Sequence, residues 1–134
     1  MKNTTIIIFF SFIVTLVQSC KLNDNKKLII SGSKAKLWEV IAGGPNNSKA
    51  TYYYYFTNKG GFKIYEQFYY SDQIKAYSGL DVYYQRTWEL KNDTVIDISG
   101  VNYRILKLSI DTLKLYDKDS KKIETLHLSS KFVE

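Results

Sequence analysis

The feature that most constrains this chain is the regular spacing of short, strand-like segments after residue 35. Roughly eight or nine segments rich in β-branched and aromatic residues recur about every ten residues, with Gly, Asn and Asp between them. They cover residues 36–41, 51–57, 62–70, 74–78, 82–91, 94–99, 101–109, 112–117 and 122–130. No stretch has a convincing helical period. The spacing therefore predicts an all-β fold, an eight- to nine-stranded antiparallel up-and-down barrel or half-barrel.

Alternation along the strands indicates which faces are buried. In the second half, Trp88 and Leu90 alternate with Thr87 and Glu89, which is typical of one dry and one solvated face. Residues 52–55 differ, because four consecutive tyrosines must place two rings on each face of a strand.

The tyrosines are the candidate ligand-binding residues, because a tyrosine ring offers a large apolar surface and a hydroxyl that needs a partner. The predicted set is Tyr53, Tyr55, Tyr65 and Tyr69 on one face, together with Trp88. A register slip of one residue would exchange this set with Tyr52 and Tyr54. The alternative is that these tyrosines only reflect the high β-propensity of Tyr.

The first residues predict export. Ile6 to Val17 is an apolar run that is too short to span a bilayer as a helix, and Lys2 precedes it, as in a signal peptide. The sequence VQSC, which ends at Cys20, resembles a lipobox, and Cys20 is the chain's one cysteine. The alternative is an ordinary signal peptide followed by a free thiol. The predicted organisation is signal peptide 1–19, lipidated cysteine and disordered polar tether 20–27, and barrel domain 28–134.

The charge balance does not indicate nucleic-acid binding. Without Lys2, eighteen basic residues accompany thirteen acidic ones, which gives a net charge of +5. The two signs are interspersed along the chain, which is typical of a solvated surface.

Two stretches, SGSKAKLWEVI (31–41) and RTWELKNDTVIDISGVNYRILKLSIDTLKL (86–115), resemble the small bacterial lipocalin-like lipoproteins. The positions that carry the pattern in the second stretch are Trp88, Leu90, Tyr103, Ile105, Leu108, Leu113 and Leu115. The resemblance implies a lipocalin-like barrel or half-barrel with Trp38 plugging its closed end. It also implies a cup for a small apolar ligand.

Catalytic motifs are not found. His127 is the one histidine and alternates with Leu126 and Leu128, so we expect it to be solvated. Glu66 is interpreted as the one carboxylate that shares a face with apolar residues, as partner of a lysine or a tyrosine hydroxyl. Thr94 and Thr112 fit an O-glycosylation pattern but also ordinary turn chemistry. We expect a protein without catalytic activity, metal site or cofactor.

Together these features predict a lipoprotein of a Gram-negative cell envelope, anchored in the outer membrane through Cys20. The expected function is binding of a small apolar or glycan ligand. The alternative is a protein-interaction module, or a small-barrel inhibitor of an exported enzyme, acting through the loop at 43–48.

Overall fold

The computed structural model describes residues 23–45, 49–77 and 86–133. Within them lie one helix, α1 (23–31), and nine strands. The strands are β1 (Ala35–Ala42), β2 (Ala50–Thr57), β3 (Phe62–Phe68), β4 (Lys75–Ala76), β5 (Trp88–Asn92), β6 (Val95–Ile98), β7 (Val101–Leu108), β8 (Thr112–Asp117) and β9 (Lys122–Leu128). They form one antiparallel sheet that curls into a half-barrel, which confirms the predicted fold class. Residues 1–19 and Cys20 lie outside the described residues, as do residues 82–85 of the predicted strand 82–91.

The strand order shows how the sheet curls. It reads β4-β3-β2-β1-β9-β8-β7-β6-β5, so strands that are neighbours in sequence pair except β4 and β5, which form the two edges, and β1 pairs with β9. The two edges of the sheet also meet at a bridge between Gly61 and Thr87. There the amide of Phe62 donates to the carbonyl of Arg86 at 2.9 Å, and the amide of Trp88 donates to Gly60 at 2.8 Å. We call this contact the seam.

The inner face of the sheet holds the hydrophobic core. Its buried residues are Ile30, Trp38, Ala50, Tyr52, Tyr54, Phe56, Phe62, Ile64, Trp88, Ile96, Ile98, Leu113, Leu115 and Leu126. The strand residues among them follow the alternation that the sequence predicts for β5, β6, β8 and β9. Edge-to-face contacts join the rings of Phe56 and Trp88 at 5.5 Å and those of Tyr54 and Phe62 at 5.3 Å.

Helix α1 covers one end of the half-barrel. Its Ile30 is fully buried in the core, and Lys26 Nζ lies 3.5 Å from a carboxylate oxygen of Asp93 in the β5–β6 turn. Trp38 is fully buried, and its indole nitrogen donates to the carbonyl of Ile30 in α1. The expectation of a disordered tether is wrong for residues 23–27, which are helical. Contacts with the barrel stabilise this short helix despite its polar composition.

The two ends of the half-barrel differ in the turns that they carry and in the presence of α1. The closed end carries α1 and the turns that join β2 to β3, β5 to β6, and β7 to β8. Because successive strands alternate in direction, the β6–β7 and β8–β9 turns lie at the opposite end, which we call the open end.

Candidate functional site

The tyrosine strand β2 is buried on both faces. Tyr52 and Tyr54 point into the core, whereas Tyr53 and Tyr55 lie on the outer face. Tyr53 pairs across the strands with Tyr65, and the rings of Tyr55 and Tyr65 meet edge-to-face at 5.9 Å. Three of the predicted tyrosines therefore share one face, but it is the outside of the barrel. The register places Tyr52 and Tyr54 inside, so these three tyrosines do not line the interior, and their role in ligand binding stays a prediction.

The two other predicted residues lie elsewhere. Tyr69 follows the end of β3 at the open end and is 72% exposed. Trp88 is buried in the core, and its indole nitrogen donates to the carbonyl of Thr57 at 2.8 Å. The five candidates therefore do not form one site. Three tyrosines share the outer face, Tyr69 is exposed at the open end, and Trp88 lies in the core.

The C-terminal residues cover the outer tyrosines. Tyr53 is only 1% exposed although it points away from the core. Lys131 Nζ donates to the Tyr53 hydroxyl at 3.1 Å, lies 5.5 Å from the centre of that ring and also binds Gln67 Oε1. The tyrosines of β2 therefore pack in the core on the inner face and against the C-terminal segment on the outer face.

A small cavity opens beside the seam on the inner side of the sheet. Its volume is about 270 Å³. It is lined by Tyr54, Phe62, Ile64, Arg86, Ile98, Ser99, Val101 and Tyr103. Most of this lining is apolar or aromatic. Phe62 follows the β2–β3 turn of the closed end, whereas Ser99 lies in the β6–β7 turn of the open end. We call it the seam cavity.

One residue of the cavity wall, Tyr54, contacts a buried carboxylate that is not itself part of the lining. The Tyr54 hydroxyl donates a hydrogen bond to the Glu124 carboxylate, whose Oε2 is hidden from solvent and has no hydrogen-bond partner among the described residues. Burial raises the pKa of Glu124. Burial and the neighbouring Glu124 also raise the pKa values of Tyr54 and Tyr103, both of which line the cavity.

Sequence reasoning missed Glu124. Interpreting Glu66 as the one carboxylate on an apolar face is wrong, because Glu124 shares the inner face of β9 with Leu126 and lies opposite Leu115. The alternation along β9 that predicts a buried Leu126 also places Glu124 on the same face, so the sequence pattern could have identified it. Glu66 is itself buried, and its cross-strand partner is Tyr52.

The remaining candidates stay outside this site. His127 is exposed. The hydroxyls of Thr94 and Thr112 donate to Asn92 at 3.1 Å and to Asp111 at 3.0 Å, which is turn chemistry. In the predicted contact loop, residues 46–48 lie outside the described residues. Among the residues that the structure covers, no three His, Cys, Asp or Glu side chains come together as a metal-binding group.

Comparison with protein-family models, with curated proteins and with solved structures gave no match. In the described part of the chain, no helix has the length and apolar character needed to cross a membrane. The structure therefore defines this protein as an all-β antiparallel half-barrel with a small, largely apolar cavity at its seam.

Proposed function

We propose that this protein is a lipoprotein of a Gram-negative cell envelope that binds a small apolar ligand in the seam cavity. In this proposal Cys20 carries the lipid, the outer membrane is the site of anchoring, and the domain performs no catalysis. The observation that carries the ligand-binding function is the apolar, roughly 270 Å³ cavity bordered by Tyr54 and Tyr103. The lipid anchor depends on the leader sequence and its position before Cys20.

The lining of the cavity limits the ligand. Its volume of about 270 Å³ lies just below the range typical of small-molecule pockets, about 300–1,000 Å³, so the ligand must be small. Phe62, Ile64 and Ile98 favour an apolar body. A glycan would instead require an aromatic platform such as the exposed Tyr69 and Tyr70.

Native mass spectrometry of the full, membrane-extracted protein tests the binding function. Wild-type protein should carry one bound small molecule that organic extraction releases. Val101→Phe places a ring at the cavity wall and should abolish this mass. The matched control is Leu106→Phe, an exposed position of the same strand that does not line the cavity and should retain the ligand. Wild-type protein without a bound molecule would contradict the proposal.

The anchor has a separate test. The mature wild-type protein should carry acyl chains on residue 20 and should fractionate with outer membranes. Cys20→Ser should yield an unacylated protein outside the membrane fraction. An unmodified Cys20 in wild-type protein would contradict the anchoring proposal without affecting the ligand-binding one.

A protein-interaction role is the second candidate, because the outer face carries a groove of about 750 Å³. The C-terminal Phe132, which is 93% exposed, lines this groove with Tyr65 and Ile74. Large exposed aromatic side chains beside a groove are typical of protein contacts. Crosslinking from position 132 in intact cells should then capture one dominant protein, whereas the ligand-binding function requires none.

A further inference from the structure

The proposed anchor point lies very close to helix α1. Only two residues separate Cys20 from residue 23, where the described helix starts. Three Cα–Cα steps of about 3.8 Å cover at most about 11 Å, whatever conformation these residues adopt. A lipid on Cys20 would therefore hold the start of α1 at the membrane surface.

Helix α1 belongs to the closed end of the half-barrel. Lys26 binds the β5–β6 turn at Asp93, and the carbonyl of Ile30 accepts the hydrogen bond of the Trp38 indole. These contacts tie α1 to the barrel, so a short anchor on the helix also fixes the orientation of the barrel. We infer that the closed end docks on the lipid headgroup surface and that the open end faces the aqueous phase. This inference rests on the proposed lipid anchor.

The side chains of the closed end suit an anionic lipid surface. Lys27 on α1, Lys34 before β1 and Lys59 in the β2–β3 turn are all exposed there. Each lysine near an anionic membrane contributes about 1 kcal/mol of attraction. The exposed Asp24 and Asp111 oppose part of this attraction.

Exposed apolar residues occur at both ends of the half-barrel, so they do not show which end docks on the membrane. Leu28 of α1 and Ile110 of the β7–β8 turn are exposed at the closed end. Ile41, Tyr69 and Tyr70 are exposed at the open end. Exposed lysines also lie at the open end, at Lys118, Lys121 and Lys122, so the short reach from Cys20 decides the orientation.

Depth-dependent quenching on vesicles tests this orientation. In the lipidated protein the sulfur of Cys20 is a thioether, so a second, introduced cysteine is the one thiol that a fluorophore can label. Ile110→Cys marks the closed end and Asp119→Cys marks the open end. Each protein is reconstituted in phosphatidylethanolamine–phosphatidylglycerol vesicles that contain headgroup-attached quenchers. An eight-residue strand spans about 26 Å, so the two labels should differ clearly in their distance from the headgroups.

We expect several-fold stronger quenching at position 110 than at position 119. Combining Lys27→Gln, Lys34→Gln and Lys59→Gln should weaken the quenching at 110 while leaving acylation of Cys20 intact. Equal or reversed quenching in a protein whose Cys20 is acylated overturns the orientation alone. A Cys20 without acyl chains overturns the anchor and, with it, the orientation, while leaving ligand binding in the seam cavity unaffected.

Discussion

The indole nitrogen of Trp38 donates a 2.8 Å hydrogen bond to the backbone carbonyl of Ile30, and both residues are completely buried. This bond joins β1 to α1 across the closed end. Isolated helices as short as α1 are not stable in water. The contacts of Ile30 and Trp38 with the core therefore hold the helix in place, and the helix in turn covers Trp38.

Trp38→Phe should destabilise the protein. The change keeps an aromatic ring but leaves the buried Ile30 carbonyl without its donor, which costs about 1–3 kcal/mol. Urea unfolding followed by circular dichroism should show this loss in the free energy of unfolding. Tyr70→Phe, at a strongly exposed position, is the control and should stay within about 0.5 kcal/mol of wild type. Equal stability of the two variants would contradict the role of the Trp38–Ile30 bond.

The buried Glu124 should make stability depend on pH. Burial raises its pKa in the folded state above the ordinary value of 4.5, whereas hydrogen bonding from Tyr54 acts in the opposite direction. The folded protein therefore retains this proton at pH values where the unfolded chain has lost it. As a result, the contribution of Glu124 to the free energy of unfolding falls as pH rises from 4.5 through the folded-state pKa.

Glu124→Gln removes this titration and keeps an acceptor for Tyr54. The variant should gain stability relative to wild type as pH rises from 4.5 to neutral, measured by urea unfolding at several pH values. Asp119→Asn, at an exposed turn position, should retain the wild-type pH profile. An unchanged pH profile in Glu124→Gln would show that Glu124 does not titrate in the folded protein as its burial implies.

The strand content and much of the core could be predicted because both follow from local periodicity. A strand with one buried face alternates apolar and polar residues, and Ile96, Ile98, Leu113 and Leu115 are all buried as that alternation indicates. Short segments with turn residues between them also identify an antiparallel meander. No long-range information is needed for either conclusion.

The helix and the site could not be predicted in this way because they depend on contacts between distant residues. Residues 23–27 have a polar composition, and their helix forms against Trp38 and Asp93. The inner position of Tyr54 depends on strand register, which four identical side chains in a row cannot specify. The seam cavity exists because the edges of β3 and β5 meet, and no local pattern specifies that closure.

The contact between Lys131 and Tyr53 should stabilise the C-terminal segment on the outer face. Lys131 Nζ donates a hydrogen bond to the Tyr53 hydroxyl at 3.1 Å. Lys131→Ala should cost about 0.5–1.5 kcal/mol, which is typical of one hydrogen bond. A double-mutant cycle with Tyr53→Phe should reveal coupling, because each change removes one partner of this bond. Phe132→Ala, at a position 93% exposed, should leave stability unchanged, and strictly additive Lys131 and Tyr53 effects would contradict the contact.

Two glycines with the same backbone conformation should respond differently to substitution. Gly43 follows β1 with φ of +84°, and Gly100 lies in the β6–β7 turn with φ of +86°. A Cβ at Gly43 would lie 2.0 Å from the carbonyl oxygen of Ile123, whereas one at Gly100 would have no neighbour within 4 Å.

Gly100→Ala should therefore cost only the left-handed backbone penalty of about 1–2 kcal/mol. Gly43→Ala adds a clash with the backbone of β9, so β1 and β9 would have to separate near the open end. Its loss in the free energy of unfolding should be clearly larger than that of Gly100→Ala. Hydrogen exchange should also show faster exchange in β9 near Ile123 in the Gly43 variant alone. Equal losses in the two variants would mean that β9 does not approach Gly43 as closely as the structure places it.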